Sequence, residues 1–294
     1  ETTMRNYKYM YDRFIRGGFG KKKIAAVKYS DVLQFYQHLL KEKEMQINTL
    51  ETIHTVLHPT FQLAVRDNII RVNPSDGVMA QIKKQPGKNH GVRHALTVEQ
   101  QRAFIRYIDE SPTFYHWASF FKFLLGTGCR IGEAIGIRWE DIDFENKLLR
   151  VNRQVQWHQG KRTKKDIKLY NGTSKSNGYW YFSEPKYNSY RQIDLDDELI
   201  ALLKREKEWQ LKSEEYYAEY YTRYYCDQKL YVLGEKPTYD IIPMNPIKTT
   251  KTDNEINFVC RRENGTFTSP RVLTHASSVI HRELNFPEYD TYSL

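Results

Sequence analysis

Cysteine is scarce in this chain: Cys129, Cys226 and Cys260 are three in number and far apart. An odd, scattered set excludes a disulfide-stapled scaffold and the paired spacing of a zinc module, and it favours a reducing cytoplasm. No apolar run approaches the roughly 20 residues of a membrane-spanning helix, so no membrane span is expected, and no signal segment is visible. Clustered carboxylates and Cys/His sets with metal-ligand spacing are lacking too, so no metal site is expected.

Positive charge, by contrast, is in surplus. Forty-five Lys and Arg stand against 36 Asp and Glu, a net charge of +9. A polyanionic partner suits that balance, although soluble proteins that touch no nucleic acid can carry it as well. The 22 Tyr and five Trp add capacity for stacking and phosphate contact, beyond those that simply fill cores. A chain of 294 residues is long enough for two domains with cores of their own.

Residues 1–84 read as an all-helical unit. Tyr7, Met10, Tyr11 and Phe14 recur at helical spacing over Thr2–Arg16, and Gly17, Gly18 and Gly20 end that helix before the cluster Lys21, Lys22, Lys23. Ser30 reads as the N-cap of a helix carrying Val32, Phe35, Tyr36 and Leu39. A third helix over Asn48–Asp67 has Leu50, Ile53, Leu57, Phe61 and Ala64 on one stripe, with a kink or break expected at Pro59. Ile69–Pro74 would close the unit in a short helix or turn. Gln81–Arg93 is polar and basic, with Pro86, Gly87 and Gly91; it reads as an interdomain linker, assigned to residues 85–94. Lys83, Lys84, Lys88 and Arg93 in or beside it could meet phosphates, or could simply be solvated.

From residue 95 to 294 the pattern becomes α+β. Thr97 caps a helix that turns Phe104, Ile105 and Ile108 inward, and a second helix spans Pro112–Leu125. The chain turns at Gly126–Gly128, and a new helical pattern starts with Ile131, Ala134, Ile135 and Ile137. Arg130 and Glu133, three apart, share a face there. A guanidinium at a helix start, oriented by a carboxylate, is a donor fork suited to phosphate; the pair is equally what an ordinary helical ion pair looks like. Lys147–Trp157, Lys161–Tyr170 and Gly178–Phe182 read as strands, the last two separated by Asn171-Gly172. Lys186 sits beside a turn at Tyr187–Ser189, ahead of a strand with Arg191, Ile193 and Leu195. It could reach beyond the sheet edge toward a leaving oxygen, or merely protect that edge. In the segment from Asp196, Leu199, Leu202, Leu203, Trp209 and Leu211 suggest one long helix whose far part, in the run Lys204–Tyr225, is rich in paired tyrosines that pack or make contacts. A last helix starts at Thr268-Ser269-Pro270, where His275 and His281 read as surface or packing residues.

The run T-G-C-R-I-G-E-A-I-G-I-R-W-E-D-I-D, Thr127–Asp143, resembles the first catalytic box of the tyrosine recombinases, the phage-type and conjugative-transposon integrases. The resemblance makes Arg130 the box arginine and Glu133 its supporting acid. P-K-Y-N-S-Y-R-Q-I-D-L is similar to the segment that carries the family's β-hairpin lysine, here Lys186. It covers essentially the whole chain and implies a small helical core-binding domain (1–84), a basic linker (85–94) and a mixed α/β catalytic domain (95–294). It further implies double-stranded DNA as partner, gripped between the two domains, self-association on DNA as a dimer or tetramer, accessory DNA-bending proteins, and chemistry that needs neither cofactor nor metal. Lys21, Lys22, Lys23, Lys83, Lys84, Lys88, Arg93 and Arg191 become the DNA-contacting set.

Near Leu294 the pattern departs. Asp290–Leu294 resembles the run just before the family's second arginine box, with Tyr292 in the place of a histidine. On that match the C-terminal helices and the nucleophilic tyrosine would follow Leu294, and none of the tyrosines present is assigned as nucleophile. An inactive or truncated recombinase-like DNA-binding protein is the alternative, and a two-domain scaffold without nucleic acid is the third reading.

Overall fold

Two stretches of helical periodicity separated by a basic, Gly- and Pro-marked segment give two units, Glu1–Val92 and Arg93–Leu294. The computed structural model describes residues 2–84, 95–159, 178–229, 238–243 and 255–286. Lys88, Arg93, the Lys161–Tyr170 strand, Asn171-Gly172 and Tyr292 lie outside the described residues.

The first unit is helical. Helix α1, Thr2–Met10, runs into a π-helical turn at Tyr11–Ile15. It is followed by α2, Tyr29–Lys41, α3, Ile47–Arg66, and α4, Val78–Lys83. Their apolar stripes close one core: Val32 and Tyr36 of α2, Leu50 and Ile53 of α3, and Val78 and Ile82 of α4 are all fully buried. Ser30 is not the cap of α2. The cap is Lys28, two residues earlier, and Asp31 accepts the Lys28 backbone N–H at 2.9 Å, leaving the serine inside the first turn.

Helix α3 runs unbroken through Pro59, so of the kink or break expected there the break does not occur. Pro59 and Thr55 are both on the exposed side, so the Thr55 carbonyl that lacks a partner N–H meets water, while the buried stripe stays continuous. Residues 69–74 form turns rather than a helix, held by Asn73, whose amide side chain joins Ser75 at 2.6 Å and the His58 carbonyl at 3.2 Å. The following helix α4 takes in Gln81–Lys83, so the start of the basic stretch is helical and not linker.

In the second unit, α5, Val98–Glu110, opens on the expected Thr97 capping box: Thr97 Oγ accepts the Gln100 N–H at 3.2 Å and Gln100 Oε1 accepts the Thr97 N–H at 2.9 Å. Helix α6, Ala118–Thr127, begins later than Pro112 because the Ser111 hydroxyl accepts the N–H groups of Thr113 and Phe114 and holds a turn there. Gly128, at φ 61°, ends α6 in the left-handed conformation that a residue without Cβ takes at little cost.

Beyond it lie the single turn α7, Ile131–Ala134, and strands β1, Ile142–Asp143, and β2, Leu148–Val151. Strands β3, Gln154–Gln159, β4, Gly178–Ser183, and β5, Arg191–Asp194, come next. Helix α8, Asp197–Tyr217, strands β6, Tyr224–Lys229, and β7, Thr238–Pro243, and helix α9, Pro270–Glu283, complete the described part. Two antiparallel sheets result, in the orders β1-β2-β5 and β3-β4-β7-β6.

The sequence pattern Lys147–Trp157 is therefore not one strand. It divides at Asn152-Arg153, where the Arg153 guanidinium pairs with the buried Asp141 carboxylate, and the halves join different sheets. The long helix expected to run on through the paired tyrosines also ends early. Tyr217 is the last residue of α8, Ala218 has φ 45°, and Tyr224 already pairs with β7. Within α8 Leu211, expected on the apolar side, is exposed, while Gln210 is buried and bonds the Val259 carbonyl at 2.6 Å. Phe104, Phe121, Ile135, Ile137, Leu149 and Phe258 anchor the core of this unit. Among the described residues no helix is long and apolar enough to cross a membrane.

Candidate active site

Glu133 is the centre of a small charged cluster, and it is completely buried. Its Oε1 accepts the Arg130 Nη1 donor at 2.8 Å, and its Oε2 accepts both the Arg130 backbone N–H at 3.0 Å and Arg191 Nη2 at 2.7 Å. One carboxylate thus orients two guanidinium groups, one from the start of α7 and one from the start of β5. Burial alone would raise the Glu133 carboxyl, but the hydrogen bonds from Arg191 and from Arg130 outweigh it and hold the group below the usual glutamate range. Arg191 is raised in turn, first by its hydrogen bond to Glu133.

Local structure explains why the cluster forms. Arg130 is extended, the residue before α7, so its side chain and its N–H both face the carboxylate three positions on. The turn α7 is held close to β3: a Cβ on Gly132 would meet the Val155 carbonyl oxygen at 3.3 Å, so only glycine leaves the strand its present approach. Cys129, buried beside the cluster, has its thiol within 3.9 Å of Arg191 Nη2, and burial pushes that thiol up.

The expected residues come together in part. Arg130 Nη1 also reaches Ser189 Oγ at 3.2 Å, tying the arginine to the loop that carries Lys186. That loop is a tight turn, with Tyr187 at φ 63° and Asn188 at φ 53°. Lys186 is exposed and rests its ammonium 5.0 Å from the centre of the Tyr187 ring. The loop is not a simple hairpin, which would pair the strands on its two sides: β5 pairs with β2, and β4, just before the loop, belongs to the other sheet. A second tether holds it, since Gln154 Nε2 donates to the Glu184 carbonyl at 2.7 Å.

Arg130 keeps 46% of its side chain exposed while Glu133 is fully covered, so a guanidinium edge remains open to an anion. Arg191, expected among the DNA contacts, points its Nη2 at Glu133 and keeps 31% of its side chain exposed. In the first unit Lys21, Lys22 and Lys23 are all exposed; Lys22 pairs with Asp31, and Lys83 pairs with Glu51. Lys84 is exposed at the end of α4. His275 is exposed, and His281 is buried with its ring 5.0 Å from that of Phe104, the surface and packing places read from the sequence. Among the described residues no three His, Cys, Asp or Glu side chains could hold a metal ion. Nothing local in the sequence marks Ser189 or Gln154 as site residues, because each acts on a partner at least 30 residues away.

Residues 94–176 match the family model described as "Phage integrase family". The ICEBs1 integrase of Bacillus subtilis is 25% identical over 252 residues, 85% of this chain and 61% of that protein. A XerC-like tyrosine recombinase of Caldanaerobacter subterraneus is 26% identical over 72% of this chain and 52% of its own length. The transposase of transposon Tn916 from Enterococcus faecalis is 26% identical over 67% of this chain and 44% of that protein. The chain thus spans 61% or less of the length of these relatives. In fold it is similar to the Tn1549 transposon integrase in complex with a circular intermediate DNA, with a TM-score of 0.69, 19% identity, and coverage of 100% of this chain and 78% of that one.

Proposed function

We propose that this chain, which belongs to the tyrosine recombinase or phage-type integrase family, cuts and rejoins duplex DNA at specific sites, as in the integration and excision of a mobile element. The observation that carries the reading is the buried Glu133 carboxylate, which fixes Arg130 with one guanidinium edge open beside the Lys186 loop. Relatives named as an integrase and as transposases support it.

In this reading a tyrosine hydroxyl attacks a backbone phosphate, forms a 3′-phosphotyrosyl link and releases a 5′-hydroxyl, which later attacks the link on a partner strand. Arg130 binds a nonbridging oxygen and offsets the negative charge that grows in the transition state, its fork held ready by Glu133 at no reorganisation cost. Lys186 gives its proton to the departing 5′-oxygen as general acid. Lys21, Lys22, Lys23, Lys83, Lys84, Lys88 and Arg93 supply contacts to the duplex, and copies of the protein associate on the DNA.

The test is a suicide duplex, nicked so that the cleaved strand end diffuses away, mixed with the full-length protein. A denaturant-resistant protein–DNA adduct is expected, and it should vanish in Arg130→Ala. Binding with no adduct under any condition would favour the alternative of a DNA-binding protein without catalysis.

A further inference from the structure

A cavity of about 750 Å³ opens between the Lys186 loop and the second sheet, within the range, about 300–1,000 Å³, of sites that enclose a small ligand. Beside Ser183, Glu184 and Pro185, its walls carry three kinds of group. Cations come from Arg138, Arg153 and Lys186, amides from Gln154 and Gln156, and aromatic surface from Tyr181, Phe182 and Tyr239. The arginines are fixed: Arg153 is paired with Asp141, and the Arg138 and Arg153 guanidinium groups lie 4.8 and 5.8 Å from the centre of the Phe182 ring. Gln156 is fixed as well, its Oε1 accepting the Tyr181 hydroxyl at 2.9 Å, which leaves its amide N–H₂ as a donor.

Paired DNA presents a convex surface with its base faces stacked away, and it cannot enter such a cavity. A base that has left the stack presents a π-face, a hydrogen-bonding edge and a flanking phosphate. Aromatic, amide and cationic walls answer those three features in turn. Lys186 is the residue shared by cavity and candidate active site, so the nucleotide nearest the cavity is the one on the leaving 5′-oxygen. We infer that the cavity holds the unpaired base of that nucleotide after cleavage, keeping the free 5′-hydroxyl end in place until it is exchanged. The inference rests on the recombinase reading above.

The test uses the full-length protein and a labelled duplex nicked at the cleavage position, followed by anisotropy. In one probe the first nucleotide on the 5′-hydroxyl side is a mispaired thymine; in the other the same position is abasic. The thymine probe should bind about tenfold more tightly, the lower range of what one stacked base contributes. In Gln156→Glu, which keeps the shape and can still accept from Tyr181, and in Tyr239→Ala, that preference should fall below twofold, with affinity for fully paired duplex unchanged within twofold. Equal binding of the two probes by the unaltered protein overturns the inference, and so does a preference that survives both substitutions. If the variants instead lose association between protein copies on paired DNA and keep the base preference, the cavity receives polypeptide and the inference is wrong. A protein that binds no duplex at all overturns the recombinase reading, and this inference with it.

Discussion

Glu133 Oε2 and Arg191 Nη2 stand 2.7 Å apart although 58 residues separate them in sequence. The contact joins α7 to the start of β5, and through the same carboxylate it orients Arg130. A buried acid that holds two arginines is an electrostatic keystone: each guanidinium offsets the desolvation that the carboxylate suffers. Removing the acid leaves two like charges adjacent.

Glu133→Gln should therefore lower stability by about 1–3 kcal/mol, less than the loss for a wholly buried pair because both arginines reach solvent. Its pH dependence is a sharper check. The folded-state Glu133 value is depressed, so its stabilisation is fully present above the ordinary glutamate value of about 4.3 and is lost as pH falls through the lower folded value. Urea unfolding measured downward from pH 5 should fall more steeply for the unaltered protein than for Glu133→Gln. Parallel curves would remove the ion pair from the stability of the unit.

Arg130 and Lys186 should separate on a substrate whose scissile 5′-oxygen is replaced by sulfur. Lys186→Ala should slow cleavage of ordinary DNA by about 10²-fold, and the thiolate, which leaves without a proton, should restore most of the rate. Arg130→Lys loses the fork proposed to stabilise the transition state, so it should stay slow on both substrates while duplex affinity is nearly unchanged. Equal rescue of the two variants would show that Lys186 is not the acid.

The periodic parts of this fold are legible in the sequence because burial acts locally on them. The Leu50, Ile53, Leu57 and Phe61 stripe gives α3, and Thr97 with Gln100 gives the start of α5. Arg130, Glu133 and Lys186 are legible through the motif that contains them. What the sequence hides depends on distant partners. The alternation of Lys147–Trp157 is the same whether it forms one strand or two, and only the Arg153–Asp141 pair decides for two. Arg191 reads as one more cation on an exposed strand until the fold brings Glu133 to it. The paired tyrosines after Tyr217 are good strand formers as well as helix residues, and pairing of β6 with β7 settles the matter.

The basic residues of the first unit should not contribute alike to DNA binding. Lys22 and Lys83 hold the Asp31 and Glu51 carboxylates, and the Lys22 hydrogen bond depresses Asp31. Each would have to leave that partner to release a counterion from DNA. Lys21→Gln, Lys23→Gln and Lys84→Gln should each flatten the log K against log salt slope by about 0.9, the value for one phosphate contact, and Lys22→Gln and Lys83→Gln by less than half of that. Five equal slopes would mean that the carboxylates do not compete with DNA.

Gln154 gives the most demanding test, because nothing in the reaction requires a glutamine. Its amide donates to the Glu184 carbonyl at 2.7 Å, two residues before Lys186, and its strand packs on the Gly132 turn that follows Arg130. The residue is therefore placed to set the distance between Lys186, the proposed acid, and the phosphate proposed to lie at Arg130. Gln154→Ala should leave duplex affinity intact and lower the cleavage rate by about tenfold, or about 1.4 kcal/mol in the barrier. Gln154→Glu, which cannot donate to a carbonyl, should do the same. A general loss of structure would slow every substrate equally. Misplacement of Lys186 alone would be cured by a leaving group that needs no proton, so both variants should recover on the 5′-sulfur substrate as Lys186→Ala does. Variants that stay slow on that substrate would assign Gln154 to the packing of the sheets and leave the placing of Lys186 to Ser189 and the loop's own turn.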